Sequence, residues 1–494
     1  MSRRHIETNI EQKLKKSEEK AKKYKEKIIS LNGELRRARQ KQEETNLSRN
    51  LWKDRFKSLK SSIEVKTLPE RRDIKVIQEI KISEAISEHK YQRHIVSLCI
   101  SLYALSGCSL RGVIRVLTCL QLELGLKLEE IPSKSSVQNW IQKLGYYEYT
   151  HYGSATYEGN YGLIIDECMV IGQQRMIIAL GLPSDKTGQE ATKLGDVRLL
   201  YISVQSSWNH VQVSELLQKV TEKMGKSPEY VISDGAGNLK KGIHKSKLVR
   251  ISDIGHEMGK ILEQTYSKND EYNAFTKAAA LVKFKEVMKD TSYLLPPKQR
   301  TIARFMNMSA TVEWAAKMLN AFERLTPNEQ QIFAWLKTYR SLIKELENTF
   351  NLAHLVMKII KNQGLSYQNI EECLKLINPF TGKVKGVVIT KIMNYFQLEK
   401  DKLPNSETIW HASSDVIESL FGKYKSTIAA NKLNGITPHV LSLCVLTHFE
   451  GQKELIHDTV RDALSDVSMS DLKTWKHQNL VDNQVVRRRV TLNT

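Results

Sequence analysis

Two aspartates each close a short apolar run, 68 residues apart: Asp166 in Tyr161-Gly162-Leu163-Ile164-Ile165-Asp166-Glu167, and Asp234 in Tyr230-Val231-Ile232-Ser233-Asp234-Gly235. Aliphatic and β-branched residues crowd both runs and a polar or Gly-rich turn ends each, the pattern of a short buried strand. A carboxylate at a buried strand end is costly to ionise unless positive charge lies beside it. Two of them side by side ask for a hard divalent cation held by oxygen ligands, the chemistry of nucleases and polynucleotide transfer. A third acid is expected from an element packing back on the sheet. Glu418 supplies it, in Ser413-Ser414-Asp415-Val416-Ile417-Glu418-Ser419-Leu420-Phe421-Gly422-Lys423-Tyr424-Lys425. Ser414 is placed to cap that helix, and Val416, Ile417, Leu420, Phe421 and Tyr424 form its apolar face with Glu418 at the edge. Lys425, two turns beyond Glu418, is placed to hold a phosphate, and Lys423 is assigned to DNA with it. In the mechanism these residues imply, Asp166, Asp234 and Glu418 hold two Mg²⁺ (or Mn²⁺) ions about 4 Å apart, so no Ser, Cys or His nucleophile is needed. Taken singly, Asp166 or Asp234 reads equally well as an aspartate capping a turn after a strand.

The elements that must position these acids follow from periodicity. Strands are expected at Tyr161 to Asp166, Arg175 to Leu182 and Val197 to Val204, then a helix from Val211 to Met224. Strand Tyr230 to Ser233, a short helix near Leu239 to His244, strand Lys247 to Ser252 and a helix from about His256 complete the set. Three strands, a helix, a strand, a helix, a strand and a helix is the element order of the ribonuclease-H-like fold. That predicts an α/β core, a mixed five-stranded sheet with flanking helices. Residues 158–270 form its first part and 406–450 bring back the final acid. Between them, 271–405 lose strand character, with helices expected at Ala315 to Leu325 and Glu329 to Glu347; a block this long is an all-α insertion rather than a loop.

Upstream, 91–150 read as three helices, with a break at Gly107 and a start after Pro132 at Ser133. The order is that of a helix-turn-helix, whose last helix would offer Ser135, Ser136, Gln138 and Asn139 to base edges and Lys134 to phosphate. Trp140 is expected in the core. Residues 67–90 read as a linker. Before it, 1–66 carry a heptad stripe through Leu14, Ala21, Tyr24, Ile28, Leu31 and Leu35, resuming at Trp52, Phe56, Leu59 and Ile63. A dimerising coiled coil and a basic arm along DNA phosphates are both consistent with it. Residues 451–494 are expected as a basic tail ending near Arg487-Arg488-Arg489.

Composition supports a polyanionic partner. Lys and Arg number 75 against 55 Asp and Glu, a formal charge of +20; residues 1–66 hold 20 of those cations and 10 of the acids. Double-stranded DNA is the first partner such a surplus suggests. An apolar fraction of 41% excludes a disordered chain. The longest apolar stretches, around ten residues, fall short of the roughly 20 that cross a bilayer, so no membrane partner is expected. The charged start, Met1-Ser2-Arg3-Arg4-His5, points to an intracellular, cytoplasmic protein. Cys99, Cys108, Cys119, Cys168, Cys373 and Cys444 show no zinc spacing and are expected as reduced core thiols.

With these residues in hand, the chain resembles the aspartate-aspartate-glutamate transposases of bacterial insertion sequences. Three stretches carry the resemblance: Ile164-Ile165-Asp166-Glu167, Ile232-Ser233-Asp234-Gly235-Ala236-Gly237-Asn238, and Ile417-Glu418-Ser419-Leu420-Phe421-Gly422. A fourth, Ser252-Asp253-Ile254-Gly255-His256, is similar to an Asp-x-x-His found after the fifth strand in many of these enzymes. The resemblance implies that the enzyme cuts at its element's inverted repeats and joins the freed 3′ ends to target DNA, acting as a homodimer or higher oligomer on DNA at the bacterial nucleoid. It places His256 by the active site, against a capping role. It sets Trp314 either on a flipped base or in the core. Some relatives carry an Arg four residues before the final Glu, where Ser414 stands here. Asp253, Glu167 and Asp415 are further acids, Asp253 being the first substitute for Glu418. Two other readings stand: a ribonuclease-H-like nuclease without strand transfer, and a catalytically inactive derivative retained for DNA binding.

Overall fold

The apolar runs between residues 161 and 252 assemble one open sheet. The computed structural model describes residues 90–124, 130–151, 156–171, 174–298, 304–377, 383–427, 435–449, 457–482 and 484–493. The chain divides into two compact units, Met1–Ile82 and Ser83–Thr494, and every described residue belongs to the second. The heptad arm at 1–66 and the linker up to residue 89 lie outside the described residues.

Strands β1 (Tyr161–Ile171), β2 (Gln174–Pro183), β3 (Arg198–Gln205), β4 (Tyr230–Ser233) and β5 (Val249–Ser252) stand in the order β3-β2-β1-β4-β5. β2 is antiparallel to β1 and β3, whereas β1, β4 and β5 are parallel. Both faces are covered, as sheets with parallel strands require. Because side chains alternate along a strand, Tyr161, Leu163 and Ile165 enter one apolar layer and Ile164 the opposite one. Asp166 shares the Ile164 register.

Asp166 does not end β1, as the residue pattern predicts. The strand continues to Ile171 in a hairpin with β2, Asp166 opposite Ile178 and Glu167 opposite Ile177, with a register shift between Glu167 and Val170. Cross-strand pairing carries the strand past polar residues that local preference treats as its end.

Among the described residues three helices precede the sheet, where the spacing of 91–150 predicts them: α1 (Arg93–Ala104), α2 (Leu110–Leu124) and α3 (Lys134–His151). The Ser133 hydroxyl accepts the Ser136 amide at 3.1 Å and so caps α3. Helices α4 (His210–Met224) and α5 (Gly237–Lys245) join the layer of Leu163, through Val213, Leu216, Leu239 and Ile243. Helix α6 (Ile254–Tyr266) follows β5.

The next stretch is helical: α7 (Asp270–Glu286), α8 (Arg304–Ala321), α9 (Pro327–Phe333), α10 (Arg340–Gln363), α11 (Tyr367–Ile377) and α12 (Lys383–Lys400). The described residues of 271–405 hold no strand. The helix expected from Glu329 to Glu347 is broken by a 3-10 turn, Ala334–Tyr339. That turn buries Leu336 and sets Trp335 against Phe275, Trp314 and Tyr339, so aromatic packing overrides helical periodicity. This region has its own core, with Tyr272, Phe275, Val312 and Phe333. α10 crosses from it to the main core, placing Leu346 and Phe350 in the first and Val356 and Ile360 in the second.

The chain ends with α13 (Asp415–Thr427), α14 (Ser442–Phe449), α15 (His457–Asp466), α16 (Met469–Asn479) and α17 (Gln484–Asn493). The basic tail expected from residue 451 is therefore largely helical among the described residues. α15 and α16 bury Val460, Ala463, Leu464, Leu472 and Trp475 in the core that also holds Ile95 and Leu144. The spacing of Val460, Ala463 and Leu464 is the amphipathic signal for this, and the nearby basic residues mask it. α3 approaches the turn before α14 so closely that a Cβ on Gly145 would lie 2.1 Å from the Leu441 carbonyl oxygen. Cys99, Cys373 and Cys444 are buried free thiols, whereas Cys119 is exposed, contrary to expectation. Among the described residues no helix is long and apolar enough to cross a membrane.

Candidate active site

The third acid reaches the sheet through a strip of chain that is stitched down residue by residue. Trp410 exchanges backbone hydrogen bonds with Leu365 at 2.7 and 3.0 Å, and its ring stacks on Tyr230 at 4.5 Å. The His411 amide donates to the Tyr230 hydroxyl at 3.1 Å, and the Ile254 amide donates to the Ala412 carbonyl at 2.9 Å. Helix α13 starts directly after this strip, burying Val416, Ile417, Leu420, Phe421 and Tyr424 as its sequence pattern predicts. Glu418 stands in its first turn with a side chain 53% exposed.

Asp166, Asp234 and Glu418 share one electrostatic neighbourhood. The Asp166 carboxyl is pushed up to about 7, by burial first and then by the charge of Asp234; Glu418 and Asp253 add to the rise and His256 opposes it. Asp234 lies in the turn after β4, where one carboxylate oxygen accepts the Ala236 amide at 2.9 Å.

Asp253 is 1% exposed and divides its two oxygens between two helices. Oδ1 accepts the His256 amide at 2.6 Å and His256 Nδ1 at 3.0 Å, capping α6 and orienting the ring. Oδ2 accepts the Ser414 amide at 2.6 Å and the Ser414 hydroxyl at 2.9 Å. Ser414 thus spends its hydroxyl on Asp253 rather than on capping α13. Burial opposes ionisation of Asp253, but the hydrogen bonds and charge of His256, with the Ser414 amide, hold its carboxyl below the ordinary value. His256 is pushed up to about 9, first by the hydrogen bond to Asp253, against burial, and then by the charges of Asp253, Asp234 and Glu418. It is an imidazolium at neutral pH, with Nε2 3.9 Å from Glu418 Oε1.

The remaining acids have structural partners. Glu167 pairs with Arg175 at 2.8 Å and accepts a hydrogen bond from Asn238 at the start of α5. Asp415 pairs with Lys361, which reaches in from α10. Beside Lys361 a cavity of about 430 Å³ opens between α6, α8 and α10, floored by Met258, Val312 and Phe350 and rimmed by Glu313, Asn351 and His354. Trp314 is half-buried, donates Nε1–H to the Leu294 carbonyl at 2.8 Å and packs against Phe333 and Trp335.

The residues assigned to DNA fall in two places. Lys134 and Ser135 are exposed in the first turn of α3, with Ser136, Gln138 and Asn139 half-buried behind them and Trp140 in the core. On α13, Lys425 is exposed and Lys423 half-buried. Sequence reading missed Arg250, which donates to the Ser233 and Ser252 hydroxyls and to the Ser233 and Asp234 carbonyls. An arginine between Val249 and Ile251 in a short strand is the signal that marks it. Lys361 carried no signal, since its place depends on how α10 packs.

Among the described residues, no group of three or more His, Cys, Asp or Glu side chains is already gathered as a metal-ligand sphere. No protein-family model matches the chain, and no curated protein matches it.

Proposed function

We propose that this chain is a DNA transposase of the aspartate-aspartate-glutamate type, in which Asp166, Asp234 and Glu418 hold Mg²⁺ or Mn²⁺. One observation carries the reading: Asp166 on β1 is buried within electrostatic reach of Asp234, in the turn after β4, and of Glu418 on α13, and burial first, then those charges, raise its carboxyl to about 7. A buried carboxyl with two further acids acting on it has little to offset its charge when it ionises, and an all-oxygen donor set suits a hard divalent cation. The mixed sheet, the element order and the helical stretch before the final acid support a ribonuclease-H-like core with an insertion. The three helices up to α3 support a helix-turn-helix reader, with Lys134 and Ser135 foremost.

When bound, the metal supplies the Lewis acidity that activates an attacking oxygen and neutralises a leaving one. The protein supplies position and charge. Asp253 keeps His256 protonated and aimed past Glu418, where an imidazolium can donate to a phosphate oxygen of the DNA. Lys425, two turns beyond Glu418, and the formal charge of +20 favour the polyanion. Joining a freed 3′ end to target DNA and acting as a homodimer or higher oligomer on DNA in the cytoplasm complete the proposal.

The test is cleavage of a labelled duplex carrying the DNA that flanks the chain's own gene, with Mg²⁺ or Mn²⁺. Wild type should cut at the element end and transfer the 3′ end to a second duplex, and Asp166→Ala, Asp234→Ala and Glu418→Ala should bind DNA without cutting it. Cutting without transfer would leave a nuclease, and binding without cutting by wild type would leave an inactive derivative.

A further inference from the structure

We infer that β5 and the turn after it align the acid cluster: Arg250 on the strand and Asp253 just beyond it are positioning residues that set where Asp234 and Glu418 stand. The inference rests on the active-site reading above and adds two residues that touch neither metal nor DNA.

The guanidinium of Arg250 is committed to the exit of β4. Nε donates to Ser233 Oγ at 2.8 Å, Nη1 to Ser252 Oγ at 2.9 Å, and Nη2 to the Ser233 carbonyl at 3.1 Å and to the Asp234 carbonyl. Its planar fork spans the peptide that carries Asp234, which a single lysine ammonium cannot do. Three residues on, Asp253 does the same for α13. Its amide donates to the Ser233 carbonyl at 3.1 Å, tying it to β4, while Oδ2 takes both donors of Ser414, four residues before Glu418. Oδ1 fixes the His256 ring that faces Glu418. Asp253 and Ser414 are 161 residues apart in the chain, so their contact closes the whole helical stretch between them. Bringing such distant segments together costs loop-closure entropy, and the tie that offsets it lies at the point where the third acid is delivered.

The two oxygens of Asp253 make graded variants informative. Asp253→Asn keeps the size but replaces one acceptor with a donor, so one helix loses its partner; Ser414→Ala removes one bond of two on the Oδ2 side; Arg250→Lys keeps charge and loses the fork. The full chain and each variant, with Asp234→Asn and Glu418→Gln beside them, are titrated with Mn²⁺ by electron paramagnetic resonance without DNA. Hydrogen exchange of the peptide spanning 411–421, duplex binding and metal-dependent cleavage are measured on the same samples. Arg250→Lys and Asp253→Asn should weaken Mn²⁺ binding by about 10–100-fold, the usual effect of losing an outer-sphere partner, with cleavage partly restored at higher Mn²⁺ and, in Arg250→Lys, duplex binding unchanged. Asp253→Asn should also speed exchange at the start of α13, and Ser414→Ala should do both more weakly. Wild-type Mn²⁺ affinity in Arg250→Lys and Asp253→Asn, with affinity lost in Asp234→Asn, would overturn the alignment role alone. Undiminished affinity in Asp234→Asn and Glu418→Gln would instead overturn the active-site reading and this inference with it. Should Asp253→Asn fail to fold by circular dichroism, Arg250→Lys and Ser414→Ala decide in the same way.

Discussion

Asp166 is built at a cost to stability, and the cost has a sign. Its folded value of about 7 lies above the ordinary 3.8, so folding favours the protonated form. That stability is whole below pH 3.8 and is lost as pH rises through 7, with an upper bound of ~4 kcal/mol. Asp166→Asn should therefore match wild type near pH 4 and exceed it at pH 8, by ~1–4 kcal/mol in urea denaturation. Added Mn²⁺ should raise the melting temperature of wild type at pH 8 and leave the variant unmoved. An Asn variant no more stable than wild type at pH 8 would show that burial and the surrounding acids together do not raise Asp166. The identity of this residue was legible from an apolar run closing on an acid. Its partners were partly so: Asp234 and Glu418 carry comparable local signals, whereas the pairing of Asp253 with Ser414 joins residues with nothing in common in sequence.

Elements are held to one another by groups that dislike acid. His411, on the strip leading to α13, exchanges a hydrogen bond with Thr192 at 2.9 Å, and His439, before α14, does so with the Tyr103 hydroxyl of α1 at 3.1 Å. Burial, with Lys186 adding, pushes His411 down to about 3; burial, with Lys134 adding, pushes His439 down to about 4. Both are neutral when folded, so their contribution is present above the ordinary 6.5 and is lost as pH falls toward those values. Each should cost ~1.4 kcal/mol per pH unit in that window. Asp166 acts in the opposite sense there, so melting curves are best compared in the Asp166→Asn background. In it, melting temperature should fall between pH 6.5 and 4, and His411→Asn with His439→Gln should flatten the fall. Packing between elements is as tight. Gly145→Ala would place a methyl 2.1 Å from the Leu441 carbonyl oxygen, and should destabilise by ~1–3 kcal/mol through forced separation of α3 from the chain before α14. An Ala variant with an unchanged urea midpoint would mean that this contact yields freely.

At the scale of the whole molecule, the proposal of a DNA partner rests on charge, a formal +20. Residues 1–66 carry half of the formal +20. Deleting them should weaken binding to any duplex and flatten the fall of log affinity with log salt, because fewer counterions are released. Affinity for duplex measured between 50 and 200 mM salt, about the range where such slopes are read, gives the answer. An unchanged slope would place the DNA contacts elsewhere on the chain. Mass in solution of the same deletion tests whether the heptads dimerise the protein, and an unchanged oligomer would remove the coiled coil as the cause.

Residue type and spacing alone determined the strands, most helix positions and the candidate acids. These depend on neighbours within a few residues: a continuous apolar run sets β4, Ser133 starts α3, and an apolar stripe defines the buried face of α13. Tertiary structure alone decided that β1 runs past Asp166, because its partner strand lies opposite, and that the helix expected from Glu329 breaks where aromatic rings pack. It alone decided that α15 and α16 join the core rather than trail as a basic tail. Above all it decided the site, where Arg250 on β5 and Asp253 just after it meet backbone from β4 and a serine 161 residues from Asp253. Local patterns cannot encode that meeting, since a hydrogen bond across the fold depends on where two remote segments come to rest. The residues that bear charge were visible in the sequence; the contacts that hold them in place became visible only when the chain was folded.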